Sequence, residues 1–271
     1  MTWAPLHLSH AVERVRFEIV FSEPLPTKLV DAIGLALDAR RTELRFENRE
    51  PMHVQNFVVG GDIHSQPVHS QVQSGWQAIR KSSPTVAMEA VVLNSGRLVY
   101  ESTDYRGWVK AFSRFKNVCS SMLEDAGRAV NASAVVHDYM DRFIFDGPAN
   151  LSTPTDLIRH GVLALMPQSV LSGNEMWHTH RGWFEHLHGE KYLINQNLDA
   201  QDGTTPYGKI ARSIQIYTKL ELRAEAKGLD LTSLPSKFDI MHNRCNQLVG
   251  LVITEKAADK IGLLKGSDAN V

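Results

Sequence analysis

Two segments far apart in the chain repeat one apolar spacing. Trp108, Phe112, Phe115, Cys119, Met122 and Ala126 follow at intervals of 4, 3, 4, 3 and 4, and Phe238, Met241, Cys245, Leu248 and Val252 at 3, 4, 3 and 4. Only an α-helix returns such residues to one side, so the spacing predicts two amphipathic helices whose stripes need a surface to cover. Both cysteines fall in the same slot of the two stripes, which reads as burial of small hydrophobes rather than as reactive thiols. The constant offset predicts a tandem duplication joined near residues 128 to 134.

Strand-like segments precede each stripe. Val15, Phe17, Ile19 and Phe21 alternate on one side of a segment ended by Pro24 and Pro26, and Leu29, Val30, Ile33 and Leu37 then recur at helical spacing over about residues 27 to 39. Residues 60 to 83, rich in Gly, Ser, Gln and His, show no sustained period and read as a long irregular connection. Thr85 to Leu93 and Arg97 to Thr103 flank Asn94, Ser95 and Gly96, the chemistry of a tight hairpin. The later chain predicts a strand over Val135 to Phe145, a helix over Thr155 to Met166, a hairpin across Gly189 and Glu190, and a strand over Ile210 to Ala224. Arg212 is the exception on that last strand's apolar side. The expected class is therefore α+β, in two similar halves, 1–130 and 131–271, each a strand, a helix, an antiparallel meander and a long closing helix.

Charge narrows the function classes. Lys and Arg number 29 against 30 Asp and Glu, so no global field draws the molecule to nucleic acid or an anionic membrane, and such a partner would need a local patch. The start, Met1 to Leu8, lacks the pattern of a signal peptide, and nowhere do about 18 apolar residues run uninterrupted. With two cysteines inside helical patterns, a reduced, cytoplasmic setting and no membrane partner are expected.

Three sets of residues carry candidate chemistry. In Trp-His-Thr-His-Arg-Gly-Trp-Phe-Glu-His-Leu-His, His178, His180, His186 and His188 have one parity, opposite Trp177, Trp183 and Leu187. With Gly189 and Glu190 as the turn, His180 faces Asp199 and His178 faces Gln201, so His178, His180 and Asp199 form a candidate set for a divalent metal. A solvated polar face is the competing explanation. Asp62 and His64, with His69 nearby, bring a carboxylate and imidazoles together and are candidates for a ligand or active site. Arg106, Lys110 and Arg114 could touch phosphates, against the alternative of an ordinary solvated helix face. No P-loop, Gly-x-Gly-x-x-Gly, Gly-x-Ser-x-Gly, Cys-x-x-Cys or His-Glu-x-x-His occurs, which lowers the expectation of an enzyme and leaves no catalytic residue to name.

The run from Gly96 to Trp108, Gly-Arg-Leu-Val-Tyr-Glu-Ser-Thr-Asp-Tyr-Arg-Gly-Trp, with Phe112, Tyr-Met-Asp-Arg-Phe at 139 to 143, and Phe238 to Thr254, resembles a sporadically distributed family of uncharacterised bacterial proteins of about this length. The shared motifs are a Tyr-x-x-Trp helix start, a Tyr-x-x-Arg-Phe strand and a closing C-terminal helix. Scattered occurrence implies mobile or defence-associated genes. The leading expectation is a non-catalytic protein-binding or adaptor protein of a bacterial defence, toxin-immunity or mobile-element system, without a cofactor, whose partner is a protein encoded by a neighbouring gene. The alternatives are a ligand-binding or metal-dependent enzyme using a surface between the halves, and a protein that contacts nucleic acid.

Overall fold

The computed structural model describes residues 1–58, 68–167, 175–205, 208–224 and 228–263, with backbone alone for 53–58, 68–73 and 232. In chain order its elements are β1 (Trp3–Pro5), β2 (Val12–Phe21), α1 (Thr27–Leu44), β3 (Glu50–Val58), β4 (Val68–Ser83), β5 (Val86–Asn94), β6 (Arg97–Ser102), α2 (Trp108–Gly127) and β7 (Ala132–Phe145). Short 3-10 turns and the one-turn α3 (His160–Leu163) lead to β8 (Trp177–Leu187), β9 (Glu190–Thr204), β10 (Ile210–Arg223), α4 (Leu234–Val252) and α5 (Glu255–Lys260).

The ten strands form one mostly antiparallel sheet in the order β3-β4-β5-β6-β2-β7-β10-β9-β8, with β1 on β7. Strand accounts for 43% and helix for 33%. The expected α+β class of two similar halves is therefore overturned by a fold richer in strand, and two segments explain why. The polar residues 68 to 83 are a strand of 16 residues paired to β3 and β5, although Gln, Ser and His leave no apolar alternation to see. Thr155 to Met166, expected as a helix, holds only the end of a 3-10 turn and α3, and between them Ile158 leaves the helical path to bridge Ile253.

The chain divides into two compact units, one of residues 17–135 and 224–234, the other of 1–16, 136–223 and 235–271. In the first, the stripe of α2 lies on the strands as expected from its spacing. Phe17 stacks on Phe115 with ring centroids 4.5 Å apart and planes within 9°, and Trp108 stacks on Phe112 at 4.8 Å. Trp76 is fully buried and its indole N–H donates to the Val30 carbonyl at 3.0 Å. In the second, Val249, Val252 and Ile253 of α4 and its exit pack with Phe143, Leu198, Ile214 and Ile216. Each such aliphatic or aromatic side chain contributes roughly 1.5–3 kcal/mol when removed from water.

One charge cluster sits inside the first unit. Glu89 is 4% exposed on the core side of β5. Arg114 of α2 grips it through Nε at 3.1 Å and Nη2 at 2.8 Å, and also donates to the Leu44 carbonyl that ends α1. Arg80 adds a third bond at 3.0 Å and reaches Asp104 at 3.1 Å. Burial alone would raise the Glu89 pKa, yet the hydrogen bonds and charges of Arg114 and Arg80 outweigh it and the net direction is down. A carboxylate with a lowered folded pKa contributes stability above its unfolded pKa and loses it as pH falls through the folded value. Arg114→Ala is expected to destabilise the protein by about 2–4 kcal/mol at neutral pH, since Arg114 is partly exposed and Arg80 remains. Urea unfolding should show the penalty shrinking in acid, where protonated Glu89 no longer needs the cation.

Candidate functional site

The hairpin of β8 and β9 is set by its turn. His188 has φ 51° and Gly189 φ 82°, so both central residues of the two-residue loop are left-handed, as a type I′ turn requires. Histidine is among the side chains that tolerate this region, and glycine enters it freely. Leu187 therefore pairs with Glu190, and the register runs without a break to Trp177 opposite Ala200. The turn lies one residue earlier than expected, and every cross-strand partner moves by two. His178 faces Asp199 instead of Gln201, and His180 faces Asn197 instead of Asp199.

The alternation of β8 is complete. Trp177, Thr179, Arg181, Trp183, Glu185 and Leu187 are half-buried on the core side, while His178, His180, Phe184 and His186 are exposed on the other. On β9 the core side holds Tyr192, Ile194, Leu198 and Ala200, so Asn195, Asn197, Asp199 and Gln201 share the open side with the histidines. Gln215 of β10 extends this face by donating to Glu13 at 3.0 Å, and Glu13 also pairs with Arg142 at 2.8 Å. Lys191 Nζ stands 4.4 Å from the centre of the Phe184 ring. With half-buried Leu193 and Tyr217 on the same side, the surface combines imidazoles, amides, the exposed Phe184 ring and charges that are mostly matched.

Of the candidate metal set, the structure brings His178 and Asp199 into contact through Nδ1 and Oδ1. His180 Nδ1 instead meets the Asn197 amide oxygen. Among the described residues no group of three or more His, Cys, Asp and Glu stands where it could hold a metal ion. Asp62 and His64 lie outside the described residues, and His69 is described only in its backbone, opposite Phe57. Arg106 is exposed and pairs with Asp104 at 2.9 Å, Lys110 is exposed, and Arg114 is held by Glu89. The three cations thus do not share one solvent-facing patch. A pocket of about 400 Å³ beside the β5–β6 turn is lined by Ser22, Glu23, Ser74, Asn94 and Arg97. Its polar groups serve the turn itself: Asn94 Oδ1 accepts from the N–H groups of Gly96 and Arg97, and Arg97 pairs with Glu18 at 2.9 Å.

A second polar cluster is buried where β7 meets α4. Tyr139 Oη lies 2.9 Å from Nδ1 of His242, and the Asn246 amide donates to His242 Nε2 at 3.1 Å. With Nε2 accepting, the neutral ring carries its proton on Nδ1 and donates to Tyr139. Burial depresses His242 to about 4. It depresses His137 to about 3, helped by the charge of His242 and opposed by the hydrogen bond to the Arg16 carbonyl. Asp141, 5% exposed, is pushed up to about 7 by burial, and no hydrogen bond or ion pair among the described residues reaches its carboxyl. Cys245 is raised by burial and then by Asp138 and Asp141, and Cys119 is raised by burial, so both remain thiols. Composition and periodicity missed this cluster. The signal present was Asp138, Asp141 and His137 inside a strand whose two faces are both nearly covered.

These groups oppose one another in acid. The native Asp141 keeps a proton that the unfolded chain gives up above its ordinary 3.8, so its contribution to stability falls as pH rises from about 4 to about 7. His137 and His242 stay neutral while the unfolded chain takes up protons below 6.5, so their contribution falls as pH drops below that value. Asp141→Asn is expected to raise stability at pH 8 by about 2–4 kcal/mol, a gain that vanishes near pH 4. Denaturant titrations at the two pH values measure the difference.

No family model matches the chain, and no curated protein matches it.

Proposed function

We propose that the protein is a non-catalytic binding protein that docks another protein on the open face of β8, β9 and β10. The observation that carries this reading is the alternation of β8 and β9. It turns Trp177, Trp183, Tyr192, Ile194, Leu198 and Ala200 toward the core and leaves imidazoles, planar amides, the Phe184 ring and half-buried Leu193 on the opposite face. Amides and imidazoles both donate and accept, and an exposed aromatic ring supplies area at little entropic cost, a mixture suited to protein contacts. Several ionisable residues away from this face are drawn inward, as with Glu89 and Arg114 or Tyr139 and His242, where they stabilise packing. Resemblance to a sporadically distributed bacterial family supports a role in a defence, toxin-immunity or mobile-element system, with the partner encoded by a neighbouring gene.

Asn197→Arg places a cation at the centre of the face on β9, where the side chain is half-buried and outside the core. Capture of neighbouring-gene products on the immobilised protein should weaken at least about tenfold, with the melting temperature nearly unchanged. Undiminished capture by the variant would count against this face. The contact of His178 with Asp199 favours a second reading, a metal-dependent activity on the same face. Protein purified without a histidine tag would then bind zinc stoichiometrically in a calorimetric titration, and His178→Ala would abolish that binding.

A further inference from the structure

β8 is the last strand of the sheet, and among the described residues no strand pairs with its other side. The turn determines what that side offers. In a two-residue loop the Leu187 carbonyl accepts from the Glu190 N–H, so Leu187, Glu185, Trp183 and the other odd residues exchange their hydrogen bonds with β9. The N–H and C=O groups of His180, Gly182, Phe184 and His186 therefore point away from β9, in the plane of the sheet.

Sheets ordinarily guard such edges with proline, lysine or a bulge. The opposite edge does so: β3 carries Pro51, and its register with β4 breaks between Met52 and His53. β8 has neither proline nor lysine, and its register is unbroken over 11 residues. Its one uncompensated charge is Arg181, half-buried on the core side. Arg181 meets the neutral Gln196 side chain and the Trp183 ring, with no carboxylate among the described residues in reach.

We propose that β8 pairs antiparallel with β8 of a second copy of this chain, with Trp183 opposite its own copy on the two-fold axis. This register sets Arg181 directly opposite Glu185 of the second copy, twice by symmetry, so that each strand's lone cation faces a carboxylate. Glu185 already accepts from Arg244 at 2.9 Å and keeps acceptor capacity for a second guanidinium. On the open face the same register seats Phe184, 61% exposed in the single chain, over Gly182 of the second copy, where no side chain competes for the space. It also matches outward N–H and C=O groups pair for pair. An inward charge normally repels foreign strands; opposite Glu185 it selects this one. The seam shares Phe184 with the open face but leaves Asn197 on β9 untouched, so the dimer and the docking of another protein are tested by separate variants.

Sedimentation equilibrium of the full chain should show a reversible dimer, and a monomer across the micromolar range would overturn the proposal. Arg181→Glu sets like charges opposite each other and should raise the dimer dissociation constant at least about tenfold, whereas an unchanged constant would also overturn it. Register is read by cysteine. A residue on the axis in a non-hydrogen-bonded pair has its Cα about 4.5 Å from its copy, within disulfide reach, whereas Thr179 lies about 26 Å from its copy. Under mild oxidation Trp183→Cys should form a covalent dimer and Thr179→Cys should not, with Cys119 and Cys245 silent because they are buried. Equal cross-linking of both variants, or cross-linking at position 179 alone, would refute the register.

Discussion

Everything in each unit depends on a strand having two faces. Once one face is packed beneath a helix, the alternation of side chains dictates what the other shows. In one unit the Phe112 and Phe115 stripe of α2 claims Phe17 and Tyr100, and in the other α4 claims Leu198, Ile214 and Ile216. Rotating a strand by one residue would exchange Ile194 for Asn195 and Leu198 for Asn197, burying amides without partners at a cost of about 1–3 kcal/mol each. The histidines of β8 are on the open side because Trp177, Trp183 and Leu187 are not.

The polar residues inside the cores follow a second constraint, since a buried charge or donor must find a partner or surrender its charge. Glu89 finds Arg114 and Arg80, and His242 finds Tyr139 and Asn246 while staying neutral. Arg212, which stands among apolar residues of β10, reaches across the strand pair to Asp202 at 2.6 Å. Asp141 takes the other course and keeps its proton up to about pH 7. These arrangements explain how Glu89, His242, Arg212 and Asp141 are kept away from solvent: each is held by a partner or by its own proton.

How much of this was legible in the sequence differs by residue. The stripes ending at Ala126 and Val252 were, because a helix's period is a property of one segment and survives whatever surrounds it. The parity of His178, His180 and His186 was legible for the same reason. The strand character of residues 68 to 83 was not, since a strand is stabilised by its neighbours and a polar one leaves no apolar period. The role of Arg114 was hidden as well. Its spacing from Arg106 and Lys110 suggested a shared basic face, but its partner lies 25 positions away on β5.

What the sequence by itself determined is therefore the helical stripes, the sidedness of β8 and the burial of both cysteines, all consequences of local periodicity. Only the tertiary structure decided that the strands join one ten-stranded sheet rather than two similar α+β halves, that His178 rather than His180 meets Asp199, and that one sheet edge is guarded while the other is open among the described residues. The reason is physical. Periodicity costs and gains free energy within a segment, whereas pairing partners and register are settled by contacts between distant segments. A change as small as moving the turn from Gly189 and Glu190 to His188 and Gly189 re-pairs every residue along both strands.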